Sequence, residues 1–342
     1  MTTSTSFQHA TFSGQKEVHI TSSAMPSRVS GEVLVKVKHT ALCGSDNRLW
    51  RDGAAQIPGH EIFGFVEQSG HAMDGKRVCV YIPVYCGQCS ACSKGHTQSC
   101  QTESILVGWN RDGGFGEYVQ VPEQCVLPVP DSVHDRIAPL LLDTIGTSTH
   151  AVRTVQSWLG NLSQARILIT GAGPIGMGVL LALQDLACQN IVVSDPVPER
   201  RNFAKQIALQ QGVVVHDPLA QGGESGTIGY GSFDAIFECS GAHAARDLAI
   251  PAVSPGGAVV LIGENNQPWL VNEGPVFRRK DFILLRSFYF PVSEHNDNIE
   301  LLLRHSTAYE KITDVEITLD QLPQAYTDFA AGLSMKPLLT FR

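Results

Sequence analysis

A chain of 342 residues, 43% hydrophobic and 17% charged, carries enough apolar material for two domains with their own cores and is not a disordered polypeptide. Its formal charge of −8, from 25 basic and 33 acidic residues, argues against general binding to nucleic acid or to an anionic membrane. The polar start MTTSTSFQHATF has no apolar core of secretory-signal length, and no run reaches the ~18 apolar residues of a spanning helix. A soluble, cytoplasmic protein is expected.

The first part of the chain, to about residue 140, reads as β-rich: GEVLVKVKH, HEIFGFVEQ, KRVCVYIPV and GEYVQVPEQCVLPV are short Val-rich runs broken by Gly, Pro and Asp. TALCGSDNRLW contains Cys43, and IPGHEIFGFV contains His60 and Glu61. APLLLDTIGTSTHAV carries Asp143 inside an apolar run, where a carboxylate is costly unless paired or bound to metal. One thiolate, one neutral imidazole and one carboxylate would neutralise a zinc ion and leave a coordination position open. A lone cysteine and a lone histidine are also ordinary core residues, so spacing alone leaves both readings standing.

Between these segments lies YCGQCSACSKGHTQSC, with Cys86, Cys89, Cys92 and Cys100. The total of nine cysteines is odd, and Cys43, Cys79, Cys125, Cys188 and Cys239 stand singly, so a reducing compartment is expected and a disulfide framework is not. The spacing C-x2-C-x2-C-x7-C lets four thiolates converge on one zinc ion. Four sulfur ligands close the site to water and substrate, so this lobe holds structure and the chemistry lies elsewhere. A redox relay would more often use one isolated C-x-x-C.

From about residue 145 the texture changes. Apolar runs of buried-strand type (RILITG, NIVVSD, GVVVHD, FDAIFECSG, GAVVLIG) alternate with helical stretches such as PIGMGVLLALQDLA and PERRNFAKQIALQQ, which predicts βαβ units and a parallel sheet covered on both faces. RILITGAGPIGMGVLLAL sets Gly171, Gly173 and Gly176 in a GxGxxG between strand and helix. These glycines serve the tight turn, the approach of backbone to a pyrophosphate, and close helix–strand packing, with the phosphate on the positive end of the helix. Asp195, closing NIVVSD, is the acidic residue expected about 20 positions on. A carboxylate there bonds ribose hydroxyls and repels a 2′-phosphate, which favours NAD over NADP; Arg200 and Arg201 are the only hint of the opposite. The tail ends in another strand-like segment, KPLLTFR.

CGSD, PGHE, the four-cysteine lobe, DGGFGEY and GAGPIG occur here in the order found in zinc-dependent medium-chain alcohol and polyol dehydrogenases, the sorbitol, sugar-acid and threonine dehydrogenase type, and the resemblance covers nearly the whole chain. It implies an α/β fold: an N-terminal GroES-like β domain over 1–145 with the zinc lobe at 86–100, a Rossmann NAD-binding domain over 146–290, and a return to the first domain over 291–342. It implies two zinc ions per chain. Cys43 and His60 would be catalytic zinc ligands, Glu61 a ligand or a near neighbour exchanging with water, and Asp143 stands where polyol-type members carry Glu and simple alcohol dehydrogenases carry Cys. Gly171, Gly173, Pro174, Ile175, Gly176, Asp195, Arg200 and Gly263 would line the NAD site, and Ser45 would pass the alcohol proton toward solvent.

The activity implied is metal-assisted hydride transfer between NAD and a secondary alcohol of a polyol, cyclitol or sugar acid, by a homodimer or homotetramer. A threonine, other amino-alcohol or simple secondary-alcohol dehydrogenase is the enzyme alternative, and a non-catalytic NAD-binding protein a further one. Zinc-free quinone or enoyl reductases of the same fold lack Cys43, His60 and the cysteine lobe. Two departures bear on substrate. Arg48 stands where polyol members often have His, and only seven residues separate Trp50 from Pro58. Arg48, with Trp109, Asn110 and Arg111 before DGGFGEY, offers guanidinium forks for a carboxylate or several hydroxyls. The same arginines would do nothing for substrate if they face solvent or pair with acids such as Asp46 and Asp112.

Overall fold

The computed structural model describes residues 5–210, 212–220, 228–229, 231–271 and 274–342. The chain forms two compact units: unit 1 comprises Met1–Asp143 and Phe290–Arg342, and unit 2 comprises Thr144–Tyr289.

Unit 1 opens with the antiparallel ribbon β1 (Ser6–Gly14) and β2 (Glu17–Ala24), paired Phe7 to Ser23 and Phe12 to Val18. The ribbon lies within the stretch read as β-rich, although none of the Val-rich runs singled out there covers it. Phe7, Ala10 and Phe12 are buried from β1, whereas β2 is polar and exposed almost throughout, so the segment lacks the apolar density that marks a strand. The chain continues through β3 (Glu32–Ala41), helix α1 (Asn47–Asp52), β4 (Glu61–Val66), β5 (Arg77–Val80), the single turn α2 (Ser90–Ser93), β6 (Tyr118–Pro122) and β7 (Val126–Pro128). In β3 every second residue, Val33, Val35 and Val37, is buried, the period-two signature of a half-buried strand.

Unit 2 alternates strand and helix. After α3 (Ser148–Leu159) come β8 (Arg166–Thr170), α4 (Pro174–Asp185), β9 (Asn190–Ser194), α5 (Pro198–Ile207), β10 (Val214–His216), β11 (Phe233–Glu238), α6 (His243–Ala252), β12 (Val253–Leu261) and β13 (Ile283–Arg286). All six strands are parallel, in the order β10-β9-β8-β11-β12-β13. The order reverses between β8 and β11, which makes that gap the topological switch point of a doubly wound sheet. Leu168, Ile236, Ala249, Val253 and Val259 form a dry core cluster. GVVVHD yields only the three-residue β10, an edge strand whose Val214 is 55% exposed.

The chain then re-enters unit 1 with β14 (Glu316–Ile317) and β15 (Leu338–Thr340). They extend a seven-stranded sheet in the order β14-β15-β3-β4-β5-β7, with β6 also on β3. β15 lies antiparallel to β3, Leu338 opposite Ala41. The α/β class expected from the sequence is the class observed. Among the described residues no helix is long and apolar enough to cross a membrane.

Candidate metal and nucleotide sites

Cys43 follows β3, Glu61 opens β4 with His60 just before it, and Asp143 follows the helical turns of Asp135–Leu141. The DGGFG segment braces the loop that carries His60. Gly113 and Gly114 donate to the carbonyls of Ile57 and Gly59 (2.7 and 2.8 Å), Phe115 to that of Pro58 (2.9 Å), and the Ile57 N–H donates to Asp112 Oδ1 (2.9 Å).

The outcome is a convergence of donors. One ligand atom each from Cys43, His60, Glu61 and Asp143 all lie within 4.8 Å of one another. His60 Nε2 faces Asp143 Oδ2 at 3.2 Å, Cys43 Sγ lies 3.5 Å from the same oxygen, and the Ser45 hydroxyl donates to Cys43 Sγ at 3.2 Å. Asp143 is partly buried, its side chain 15% exposed. Buried donors of one sulfur, one imidazole and two carboxylates, two of like charge side by side, fit a divalent ion of zinc's borderline softness.

Two further residues complete the surroundings: Asp46, which the sequence offers only as a partner for the arginines and which pairs with His60 instead, and Lys336, to which the sequence assigns no role. Asp46 Oδ1 accepts from His60 Nδ1 at 3.0 Å, the kind of contact that would orient a ligating imidazole and leave Nε2 free for a metal. A signal for it exists, since Asp46 is the last residue of CGSD. Lys336, 1% exposed, makes an ion pair with Glu61, which is wholly buried. No local signal marks it, because 275 positions separate the partners. Burial lifts the Glu61 carboxyl to about 7 against the pull of Lys336. Burial would neutralise Lys336, but Glu61, Cys43 and Asp143 hold its pKa above the usual lysine value. Burial likewise opposes charge on His60, yet Asp46, Cys43 and Asp143 raise its pKa well above the ordinary imidazole value.

The two arginines singled out by sequence part company. Arg111 donates to the Gln120 carbonyl (3.0 Å) and pairs with Glu32 at 2.7 Å, so it is spent within the β structure and not offered to a substrate. Arg48 is exposed on α1, makes no hydrogen bond or ion pair among the described residues, and lays its guanidinium over the Trp109 ring at 4.8 Å. Trp109 in turn lies 5.6 Å, centre to centre, from the His60 ring. A cation, an indole and the His60 imidazole thus adjoin one another in that order. Asn110 is turned to its own loop, donating to the Ser104 carbonyl at 2.7 Å.

The four lobe cysteines also converge and form no disulfide. Cys86 and Cys100 sulfurs lie 3.6 Å apart, and Cys89 and Cys100 sulfurs 3.9 Å. Backbone N–H groups of Cys86, Cys89, Gln101 and Glu103 aim at these sulfurs at 3.3–3.5 Å. Such donors favour thiolate: Cys89 is pulled down to about 5 by the Cys92 and Gln101 backbone N–H groups, while burial pushes Cys92 up to about 12. The arrangement fits one tetrahedral ion with no open position.

In unit 2, Gly171 takes φ +92° in the turn after β8, and a Cβ on Gly176 would stand 1.9 Å from the Gly171 carbonyl oxygen. Gly173 caps α4, Pro174 opens it and Ile175 lies in its first turn. Asp195, buried at the end of β9, accepts from the Ala172 N–H on Oδ2 and the Val197 N–H on Oδ1, each at 2.8 Å. Its negative charge is thereby fixed beside the glycine turn. Arg201 is tied to the Asp195 carbonyl and to Asp217 (2.9 Å), whereas Arg200 is partly exposed and unengaged among the described residues. Gly263 lies two residues past β12, donating to the Glu238 carbonyl at 2.9 Å.

The alcohol dehydrogenase GroES-like domain family matches residues 29–131. An L-threonine 3-dehydrogenase of Mesorhizobium japonicum is 31% identical over 256 residues, spanning 70% of this chain and 71% of that protein. Among solved structures, an Escherichia coli alcohol dehydrogenase complexed with NADH superposes with a TM-score of 0.85 at 24% identity, covering 99% of this chain and 100% of that one. L-Idonate 5-dehydrogenase of E. coli gives 0.83 at 23% identity, covering 98% of each. The chain belongs to the zinc-type medium-chain alcohol dehydrogenase family. It is an oxidoreductase of that family, acting on small-molecule alcohols.

Proposed function

We propose that the protein is a zinc- and NAD-dependent dehydrogenase that oxidises a secondary alcohol on a polyol, cyclitol or sugar acid. The observation that carries this reading is the mixed donor set of Cys43, His60, Glu61 and Asp143, with the guanidinium of Arg48 over the Trp109 ring and that ring against His60. Zinc held there supplies Lewis acidity toward an alcohol oxygen, and NAD supplies the hydride acceptor. The protein's own groups do the rest. Asp46 fixes the His60 ring, and Lys336 holds Glu61 within the donor set. Ser45, its hydroxyl at the Cys43 sulfur, is placed to receive the alcohol proton and pass it outward. Arg48 meets the carboxylate or hydroxyls of the substrate with its fork of donors.

In unit 2 the N-terminus of α4 and the Gly171–Gly176 turn would hold the pyrophosphate of NAD, and Asp195 would bond the adenosine ribose and disfavour a 2′-phosphate. The lobe of Cys86, Cys89, Cys92 and Cys100 holds a second, structural zinc. The reading extends to a cytoplasmic homodimer or homotetramer, which light scattering on the purified protein tests.

A second substrate reading, L-threonine or another amino alcohol, is favoured by the names of the sequence relatives. Arg48 speaks for a carboxylate in either case, but a cation there is unfavourable for a substrate ammonium group. NAD reduction is to be measured with a panel of polyols, sugar acids, L-threonine, 2-butanol and ethanol. The highest kcat/KM is expected for a polyol or sugar acid. L-Threonine in first place would establish the second reading, and ethanol or 2-butanol in first place would overturn both.

A further inference from the structure

Unit 2 buries a carboxylate–guanidinium pair beside the β8/β11 switch point. Glu238, the last residue of β11, is 0% exposed and Arg246 on α6 is 6% exposed; Arg246 Nε donates to Glu238 Oε2 at 3.2 Å. A pair this dry is costly to assemble and stands only where the remaining lone pairs and protons are also met. Here they are met by two loops. Glu238 Oε1 accepts from the Ser240 N–H (2.8 Å), the Ser240 hydroxyl (2.6 Å) and the Gly241 N–H (2.8 Å). Arg246 Nη2 donates to the Gly263 carbonyl at 2.9 Å, and Arg286, at the end of β13, donates to the same oxygen at 2.8 Å. Asn265 Nδ2 closes the circuit on the Gly241 carbonyl at 2.7 Å.

The guanidinium fork therefore fastens the loop after β11 to the loop after β12, at the carboxyl ends where a doubly wound sheet receives its ligand. The glycine turn after β8 is drawn in too, since a Cβ on Gly171 would stand 3.0 Å from Ser240. Packing does not require this device. Methionine has good helix propensity, but it would not bridge the carboxylate at the end of β11 and the carbonyl of the loop after β12.

We propose that Arg246 is a positioning residue for the cofactor: it sets the β11 and β12 loops at the spacing that binds the nicotinamide dinucleotide. The proposal rests on the reading of unit 2 as the NAD-binding unit.

The test compares Arg246→Met with the double variant Glu238→Gln/Arg246→Met, reading Tm and the Kd for NADH by fluorescence titration of zinc-replete protein. Arg246→Met strands the Glu238 charge, so Tm falls and NADH binds more weakly. In the double variant the amide oxygen introduced at position 238 keeps the Ser240 and Gly241 bonds and no charge is stranded, so Tm recovers. The Kd is nevertheless expected to stay about tenfold weaker, the loss of one charge-assisted hydrogen bond that spaces the loops. Recovery of Kd together with Tm, or an unchanged Kd in Arg246→Met, overturns the proposal. If the double variant stays destabilised, Arg246→Lys keeps the charge opposite Glu238 without the fork, and a wild-type Kd there overturns it equally. Failure of the unaltered protein to bind NADH or NADPH would instead sink the reading of unit 2, before any variant is compared.

Discussion

Replacing Lys336 by methionine should be among the most damaging single changes in unit 1. Lys336 and Glu61 are 1% and 0% exposed, so neither charge is hydrated. Two unit charges about 3 Å apart at an effective dielectric near 20 attract by about 5–6 kcal/mol. Stranding one partner of such a pair costs about 3–5 kcal/mol. Without zinc Glu61 has little else to turn to, because its Oε2 already lacks a hydrogen-bond partner and Asp143 adds like charge nearby. The expected loss is therefore about 3–5 kcal/mol, read as a drop in the urea midpoint of the first unfolding transition of zinc-free protein. The companion Glu61→Gln/Lys336→Met removes both charges and should recover to within about 1 kcal/mol of the parent. A single variant as stable as the parent, or a double variant no better than the single, would refute the reasoning that Lys336 neutralises Glu61.

The two cysteine sites should separate under mutation: Cys92→Ser is expected to lose one zinc by metal analysis and lower Tm, whereas Cys43→Ser should abolish turnover with Tm nearly retained. The charge of Asp195 should make NAD preferred over NADP by about tenfold in kcat/KM, equivalent to about 1.4 kcal/mol; equal use of both would assign the 2′ position to Arg200. Arg48→Ala should raise KM for the best sugar acid about tenfold. Arg111→Ala, by contrast, should leave that KM unchanged and cost about 1 kcal/mol of stability through its lost pair with Glu32. Burial, with Lys38 adding to it, holds His39 down at about 4 against an unperturbed 6.5. The unfolded chain therefore gains a proton in that window that the folded chain refuses. Stability is complete above about pH 6.5 and falls on acidification toward pH 4, by up to about 3 kcal/mol; His39→Gln should flatten the slope in urea titrations at pH 7 and pH 5.

What the sequence disclosed was what lies close together along it. The cysteine lobe spans 15 positions and the glycine turn six, so spacing alone constrains their geometry, and the alternation of apolar runs with helical stretches announced the parallel sheet. Cys43, His60 and Asp143 needed a resemblance to be read as a group, because the folds of β3, β4 and the Asp135–Leu141 turns bring them together. Lys336 was illegible for the same reason taken further. The β1–β2 ribbon escapes a sequence reading because its outer strand, EVHITSSA, buries almost nothing. Arg111 misled because an arginine beside an aromatic looks the same in one dimension whether its fork faces a cleft or, as here, Glu32.

The discontinuity of unit 1 has a temporal side. A ribosome makes β3, β4 and Glu61 first, then the whole of unit 2, and only afterwards β15 and Lys336. Until then β3 lacks the neighbour that pairs with His39–Ala41, and Glu61 has no cation to be buried against. Unit 2 is uninterrupted in the chain and can close as it emerges, whereas unit 1 must wait with an open sheet edge, the state in which nascent chains aggregate. Slow synthesis or a cut within the late segment should therefore penalise unit 1 far more than unit 2.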